Sequence, residues 1–451
     1  MIVCKFGGTS VGDAEAIRRT ASIVTHRLDR QPIVVVSAFG GATNTLLALA
    51  EQAARGQLIG ALRAVEGLRE RHLRETSTLL GTGDEAADVG AELSGMFDEL
   101  ASLAEALSVL GHLTPRSLDA VASFGEQLSS IICTQAFLRL GVPAEHVDAR
   151  KVMVTDDQFT RAEPQQDAVA DAARQHLLPI VREGRVPVLG GFIGSTAVGG
   201  ITTTMGRGGS DYSASLIGAA LKAEAIEIWT DVNGMLTADP RIVERAHTIE
   251  QVGFEEASEL ASFGAKVLHP YTIAPAVRIG IPVCVLNSRD PDGRGTLVTF
   301  DAPKRPVTAI AGKTPVTLIK VRSPRMLLTE GFLRSLFEIF ERHRTSVDVV
   351  ATSEVSVSVT VDDASRLEEF VGELRQLGDV AIERNRGIVA LVGAGLSESS
   401  EAMARGLRAV GHVKVQMLSL SATGINLTMV VSDDEVHPLM QRLHAAFFEG
   451  D

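Results

Sequence analysis

Only three cysteines occur in 451 residues, Cys4, Cys133 and Cys284. Their wide, unpaired spacing argues against a disulfide framework and a zinc site, and for a reducing compartment. The eleven histidines form no ligand pair flanked by other metal-binding residues, so no protein-held metal is expected. No apolar run is long enough to span a bilayer. Strand-like residues begin at once, so no secretion or transit segment is expected and the cytoplasm is the expected compartment. Positive charge is also short: 43 Lys and Arg against 56 Asp and Glu leave a net charge of −13. Nucleic-acid binding needs clustered Lys and Arg, so this balance disfavours it. No Ser-His-Asp order or nucleophile elbow lies near the glycine-rich loops, which leaves covalent catalysis without support.

What is present is an alternation of strands and helices from residue 1 to about 290. Apolar runs at 33–36, 186–189, 226–229 and 281–285 read as buried strands, and 14–24, 117–140 and 213–221 carry helical periodicity. Such alternation implies a mainly parallel sheet covered by helices on both faces, with ligands beyond the carboxyl ends of the strands. Lys5, Ser37, Gly191 and Asp231 fall at those ends. Residues 291–306, rich in proline and glycine, read as a linker. Beyond it, two units repeat the order helix, strand, strand, helix, which reads as a tandem pair of small α+β modules. A module of this kind leaves a sheet edge free to pair with a second copy.

The chemistry gathers in a few stretches. Lys5-Phe6-Gly7-Gly8-Thr9-Ser10-Val11 follows the first strand and leads to a helix. Backbone N–H groups without side chains, plus one ammonium, suit a phosphate chain. In a chain of negative net charge, a site for phosphates must be locally positive. The hydroxyl-rich turn from Ser37 to Thr43 contains Gly40-Gly41, which permits close ligand approach. Gly190–Asp211 reads as a mobile loop closing over a ligand, with Arg207 suited to a carboxylate and Ser210 and Asp211 placed as helix caps. Thr230-Asp231-Val232-Asn233-Gly234 follows another strand; Asp231 suits a ribose hydroxyl and Arg241 a phosphate. Glu126 sits on an otherwise apolar helix, where a carboxylate is costly unless it meets a cation or donor. Gly312-Lys313-Thr314 mimics the end of a P-loop, but Val307 occupies the position where its first glycine belongs. An ionised carboxylate needs no general base to attack phosphorus, so positioning and charge cancellation suffice.

Lys5–Val11, Phe124-Gly125-Glu126, Thr202–Asp211, Thr230–Gly234 and Phe263–Pro270, in this order, together resemble the aspartate kinases. The resemblance covers about the first 290 residues, and the paired modules behind them resemble that family's ACT domains. It implies an amino-acid-kinase three-layer αβα sandwich over 1–290, followed by two ACT-like, ferredoxin-like modules. The first would span 322–386 and the second 307–321 with 387–449, so that the strand near Val316–Val321 belongs to the second. It implies ATP-dependent phosphorylation of the side-chain carboxylate of L-aspartate to 4-phospho-L-aspartate, the entry to lysine, threonine and methionine synthesis, with Mg2+ carried by the nucleotide. Onto matching positions it places Lys5 and Asp211 as catalytic, with Ser37, Thr43, Glu126, Arg207 and Ser210 on the substrate. Lys5, Gly7, Gly8, Thr230, Asp231, Arg241 and Lys266 would hold the nucleotide. Leu236 departs from the family's usual aromatic residue. The regulatory half resembles the lysine-inhibited monofunctional class through Met326, Phe332, Leu333, Asp348 and Ser353, which implies a lysine effector and a homodimer or dimer of dimers through the modules. The alternatives are a kinase of the same fold for another small acid and a non-catalytic nucleotide- and amino-acid-binding sensor.

Overall fold

The computed structural model describes residues 1–206, 208–263, 270–328 and 330–449. The chain forms two compact units, Met1–Met235 with Val267–Phe300, and Leu236–Lys266 with Asp301–Asp451.

In the first unit the sheet runs Ala144–His146, Val186–Gly190, Pro32–Val36, Ile2–Phe6, Ala225–Thr230, Val283–Asn287, Thr296–Val298. Every pairing is parallel except that of the last two strands. Strands covered on both faces carry apolar residues at almost every position, as Ile2–Phe6 and Pro32–Val36 do. Side chains alternate between the faces. Ile2, Cys4 and Phe6 enter one core with helices Ala14–Thr25, Ala42–Ala54, Leu58–Leu80, Asp84–Leu110 and Pro115–Arg139. Val3 faces the other side, where Gly218 of helix Gly209–Leu221 lies so close that a methyl there would come within 2.8 Å of Ile226 and 3.8 Å of Val3. Lys5 shares that side with Val3. The expected three-layer sandwich is present. Helices 42–54, 58–80 and 84–110 add to those that the periodicity picks out.

Two stretches differ from expectation. Gly190–Asp211 is not one long mobile loop: Ile193–Thr196 and Thr202–Thr204 pair as an antiparallel hairpin beside Val154–Thr155. Residues 291–306 are not all linker, because Thr296–Val298 pairs antiparallel with Val283–Val285.

The second unit has one antiparallel sheet, in the order Val350–Thr352, Ser356–Val361, Ala309–Arg322, Asp379–Val392, Asn426–Ser432, Met417–Leu420. Its two central strands are 14 residues long and serve two modules. Below a register shift between Lys313 and Val316, residues 317–322 pair with Ser356–Val361. They pack with helices Phe332–Arg342 and Leu367–Leu377 around Ile319, Leu336, Val359 and Phe370. Above the shift, Ala309–Lys313 and Ile388–Val392 share a core with helices Ser400–Val410 and Asp433–Phe448. The assignment of Val316–Val321 to the second module is therefore corrected: that strand completes the first module, and Ala309–Lys313 completes the second. Gly312 lies mid-strand, where a methyl would collide with Met440 of the covering helix. Close packing, not phosphate, accounts for this glycine.

Residues 236–266, expected within one continuous catalytic domain, go with this unit. Ala238 and Val243 enter the core of Leu391 and Leu427, the Thr237 carbonyl accepts from Ile310 N at 2.8 Å, and Thr237 Oγ1 lies 3.0 Å from His444 Nε2. Among the described residues no helix is long and apolar enough to cross a membrane.

Candidate active site

Lys5, next to last in the opening strand, lies on the face of helix Gly209–Leu221, and its Nζ lies 2.7 Å from Asp211 Oδ1. The two residues are 206 positions apart in sequence, yet both side chains are nearly buried. Asp211 stands in the first turn of its helix. The expectation that Ser210 and Asp211 cap this helix is corrected: Gly208, at φ 70°, occupies the cap position and offers no side chain. Helix Ala42–Ala54 likewise begins after Gly41, at φ 84°, without a side-chain cap. Uncapped helix starts present free N–H groups and positive potential.

Both starts line one cavity of about 690 Å³ with Lys5, Gly8, Ser37, Thr43, Glu126 and Ser210. Among the described residues the lining carries the Lys5 ammonium beside the carboxylates of Asp119, Glu126 and Asp211, so the helix starts supply the remaining positive potential. Gly8 permits the two loops to meet here. Gly40 N donates to its carbonyl at 3.0 Å, and a methyl at Gly8 would fall 2.9 Å from the Ala38 carbonyl oxygen.

Glu126 points into the cavity from helix Pro115–Arg139 and is 3% exposed, so a position on the solvent rim is excluded. One carboxylate oxygen accepts from Ala38 N at 3.2 Å, and the other has no hydrogen-bond partner among the described residues. Burial pushes its pKa up to about 8, against the lowering effect of the Ala38 N–H. Such a group is one cation short of satisfied.

The residues expected to hold a nucleotide divide. Gly7 and Thr230 lie at the carboxyl ends of neighbouring strands, where Gly7 N donates to the Trp229 carbonyl at 3.0 Å; Asp231 follows directly and is exposed. Thr230 Oγ1 donates to Asp231 at 3.3 Å. Arg241 belongs to the second unit, where its guanidinium pairs with Asp239, Nη2 to Oδ2 at 2.6 Å. Arg207 and Lys266 lie outside the described residues.

Sequence reasoning passes over Asp119, Phe192 and Asn44, which also line the cavity. Asp119 is 1% exposed and accepts from Thr160 N at 2.8 Å, Thr204 N at 3.0 Å and Thr204 Oγ1 at 2.6 Å. It thereby fixes the end of the strand Thr202–Thr204. Burial raises its pKa in spite of these three donors. A signal was available: Asp119 stands seven residues before Glu126, two helical turns away on one face. Phe192 adopts φ 64°, a left-handed backbone that nothing in its residue type announces.

In the second unit, Phe332 is buried in the first module's core at 7% exposure, whereas Leu333 is exposed at 40%. Met326 packs against the same core. Ser353 Oγ lies 2.7 Å from Ser356 Oγ. Asp348 is an exposed residue whose side chain is partly covered. Its Oδ1 lies 3.4 Å from Lys313 Nζ, which also pairs with Asp362. Burial and the neighbouring Asp362 raise the Asp348 pKa to about 6, while Lys313 acts in the opposite direction.

The amino acid kinase family model matches residues 1–287. The lysine-sensitive aspartokinase 3 of Escherichia coli K12 is 38% identical, over 100% of this chain and 99% of its own. The chloroplastic aspartokinase 3 of Arabidopsis thaliana is 37% identical over 100% of this chain and 82% of its own. The crystal structure of E. coli aspartokinase III with aspartate and ADP in the R-state is similar at a TM-score of 0.84, covering 99% of this chain and 100% of that one at 38% identity. The T-state structure with lysine and aspartate gives 0.83 and covers 99% of each chain. With the ordered motifs, the sandwich and the full-length matches in agreement, this chain belongs to the aspartokinases of the amino acid kinase family.

Proposed function

We propose that the chain transfers the γ-phosphoryl group of ATP to the side-chain carboxylate of L-aspartate, giving 4-phospho-L-aspartate, and that lysine inhibits it through the ACT-like modules. The observation that carries this reading is the pairing of a buried, half-satisfied carboxylate with a lysine–aspartate pair and two uncapped helix starts in one cavity. An amino acid brings the ammonium that Glu126 needs. Its two carboxylates suit free N–H groups and the hydroxyls of Ser37, Thr43 and Ser210, with Arg207 proposed for the α-carboxylate. Lys5 holds a positive charge where negative charge develops on the migrating group, and Asp211 orients that ammonium. Gly7, Gly8, Thr230 and Asp231 are proposed to bind the nucleotide, joined by Arg241 and Lys266 on the strength of the family motif. The magnesium ion of the nucleotide supplies further neutralisation of the β- and γ-phosphates. The attacking carboxylate is already ionised at neutral pH, so no general base is required.

For the effector, Asp348 is proposed to meet an ammonium, with Met326, Leu333 and Ser353 beside it; Phe332 supports this pocket from the core. Apolar residues exposed on the outermost strands, Val350, Leu418 and Leu420, support assembly into a dimer through the modules. The unpaired cysteines support a cytoplasmic location. Trapping the acyl phosphate with hydroxylamine, in the presence of aspartate and ATP-Mg, tests the reaction. Titration with lysine, threonine and methionine tests the effector. Absence of hydroxamate would overturn the proposed chemistry, and indifference to lysine would overturn the proposed regulation.

A further inference from the structure

Helix Leu58–Leu80 supplies none of the residues named above, yet one turn of it holds both loops of the active site. Arg71 Nη1 donates to the Gly40 carbonyl at 2.8 Å, and Nη2 donates to the Gly12 carbonyl at 2.8 Å. The first carbonyl belongs to the loop proposed to bind aspartate, the second to the end of the loop proposed to bind phosphates. The guanidinium also lies 5.7 Å from the ring centroid of Phe39, the residue before Gly40. His72 stacks on the same ring at 4.5 Å. Its Nδ1 lies 2.7 Å from the Leu68 carbonyl, and burial lowers its pKa to about 4, so the ring is neutral. Glu75 accepts from Ala14 N at 3.0 Å, at the start of the helix that follows the phosphate loop.

We propose that Arg71 is a positioning residue for phosphoryl transfer: its two-pronged guanidinium sets the distance between the nucleotide loop and the aspartate loop. The inference rests on the function proposed above. Its physical basis is the planar fork, which presents two donors at a fixed separation, where a lysine offers one charged point. In-line transfer depends on the separation of donor and acceptor. A displacement of about 1 Å can cost about 10²-fold in rate even when each partner remains bound. Loss of Arg71 therefore acts on the relation between the sites more than on either site.

The test compares full-length wild type with Arg71→Ala and Arg71→Lys in the hydroxamate assay, alongside thermal melting. The expected result for Arg71→Ala is a fall in kcat of about 10–100-fold, with KM for aspartate and for ATP moving far less. Arg71→Lys should fall between the two. Guanidinium ion, below any denaturing concentration, should restore part of the Arg71→Ala rate, whereas methylammonium should not. A folded Arg71→Ala enzyme with wild-type kcat overturns the inference. So does a rise in one KM at unchanged kcat, or an Arg71→Lys enzyme as active as wild type. If Arg71→Ala fails to fold, Arg71→Lys decides by its kcat alone. Inactive wild type would instead refute the proposed reaction, so the two failures remain distinct.

Discussion

The role proposed for the buried carboxylate of Glu126 makes aspartate binding depend on pH in a calculable way. Its pKa in the ligand-free protein is raised to about 8, chiefly because burial disfavours the charge. If the substrate ammonium binds the ionised form, apparent affinity scales with the ionised fraction. That fraction is roughly 0.01 at pH 6, 0.1 at pH 7 and 0.5 at pH 8, so the dissociation constant for aspartate should fall about 50-fold between pH 6 and pH 8. At pH 7 binding should release about 0.9 proton, since the bound ammonium holds the group ionised. Calorimetry in buffers of different ionisation enthalpy reads that proton directly, and hydroxamate kinetics read KM over the same range. Glu126→Gln should abolish both the slope and the proton release. At pH 8 it should weaken binding by about 10–100-fold, the scale of losing a charge-assisted hydrogen bond. The sign for stability runs the other way. A carboxyl whose pKa is raised on folding stabilises fully below its unfolded value near 4.5, and that contribution is lost as pH rises towards 8. Ligand-free Glu126→Gln should therefore melt above wild type at pH 8, with the difference vanishing near pH 4. A dissociation constant flat from pH 6 to 8, without proton release, would refute the reasoning.

Lys5→Ala should lower kcat by about 10²–10³-fold, the usual loss for one group that stabilises transition-state charge, with some loss in melting because the nearly buried Asp211 carboxylate loses its paired ammonium. Near-wild-type turnover would remove Lys5 from catalysis. Asp119→Asn retains one oxygen for the Thr160 and Thr204 N–H groups but loses the acceptor for the Thr204 hydroxyl. A rise in KM for aspartate of about 5–10-fold is expected, matching about 1–1.4 kcal/mol for one hydrogen bond, with KM for ATP unchanged. Lys313→Gln removes the internal ammonium that faces Asp348. The lysine concentration for half inhibition should fall by up to about 5-fold, the equivalent of a partly exposed ion pair worth at most about 1 kcal/mol. Unchanged inhibition in both Lys313→Gln and Asp348→Asn would exclude Asp348 as the effector's partner.

What the residues alone determined was local chemistry. Glycines beside hydroxyls and one lysine at a strand end mark a phosphate site, because the backbone conformations and N–H groups involved lie within a few residues of each other. A carboxylate on an apolar helix marks an unmet need for a cation. Continuous apolar runs mark strands buried on both faces. The three-layer sheet and the two modules followed from these signals. Tertiary structure decided everything that depends on residues meeting from far apart. The Lys5–Asp211 pair, the hold of Asp119 on Thr204 and the reach of Arg71 to two carbonyls require the sheet register and helix packing to exist first. The same holds for the strand 316–322, whose alternation suits either module; only its pairing with Ser356–Val361 assigns it. Residues 236–266 likewise follow the core that buries Ala238 and Val243, although the chain around them reads as one continuous domain. Neighbouring residues fix a conformation, whereas burial and hydrogen bonding across the fold fix a partner.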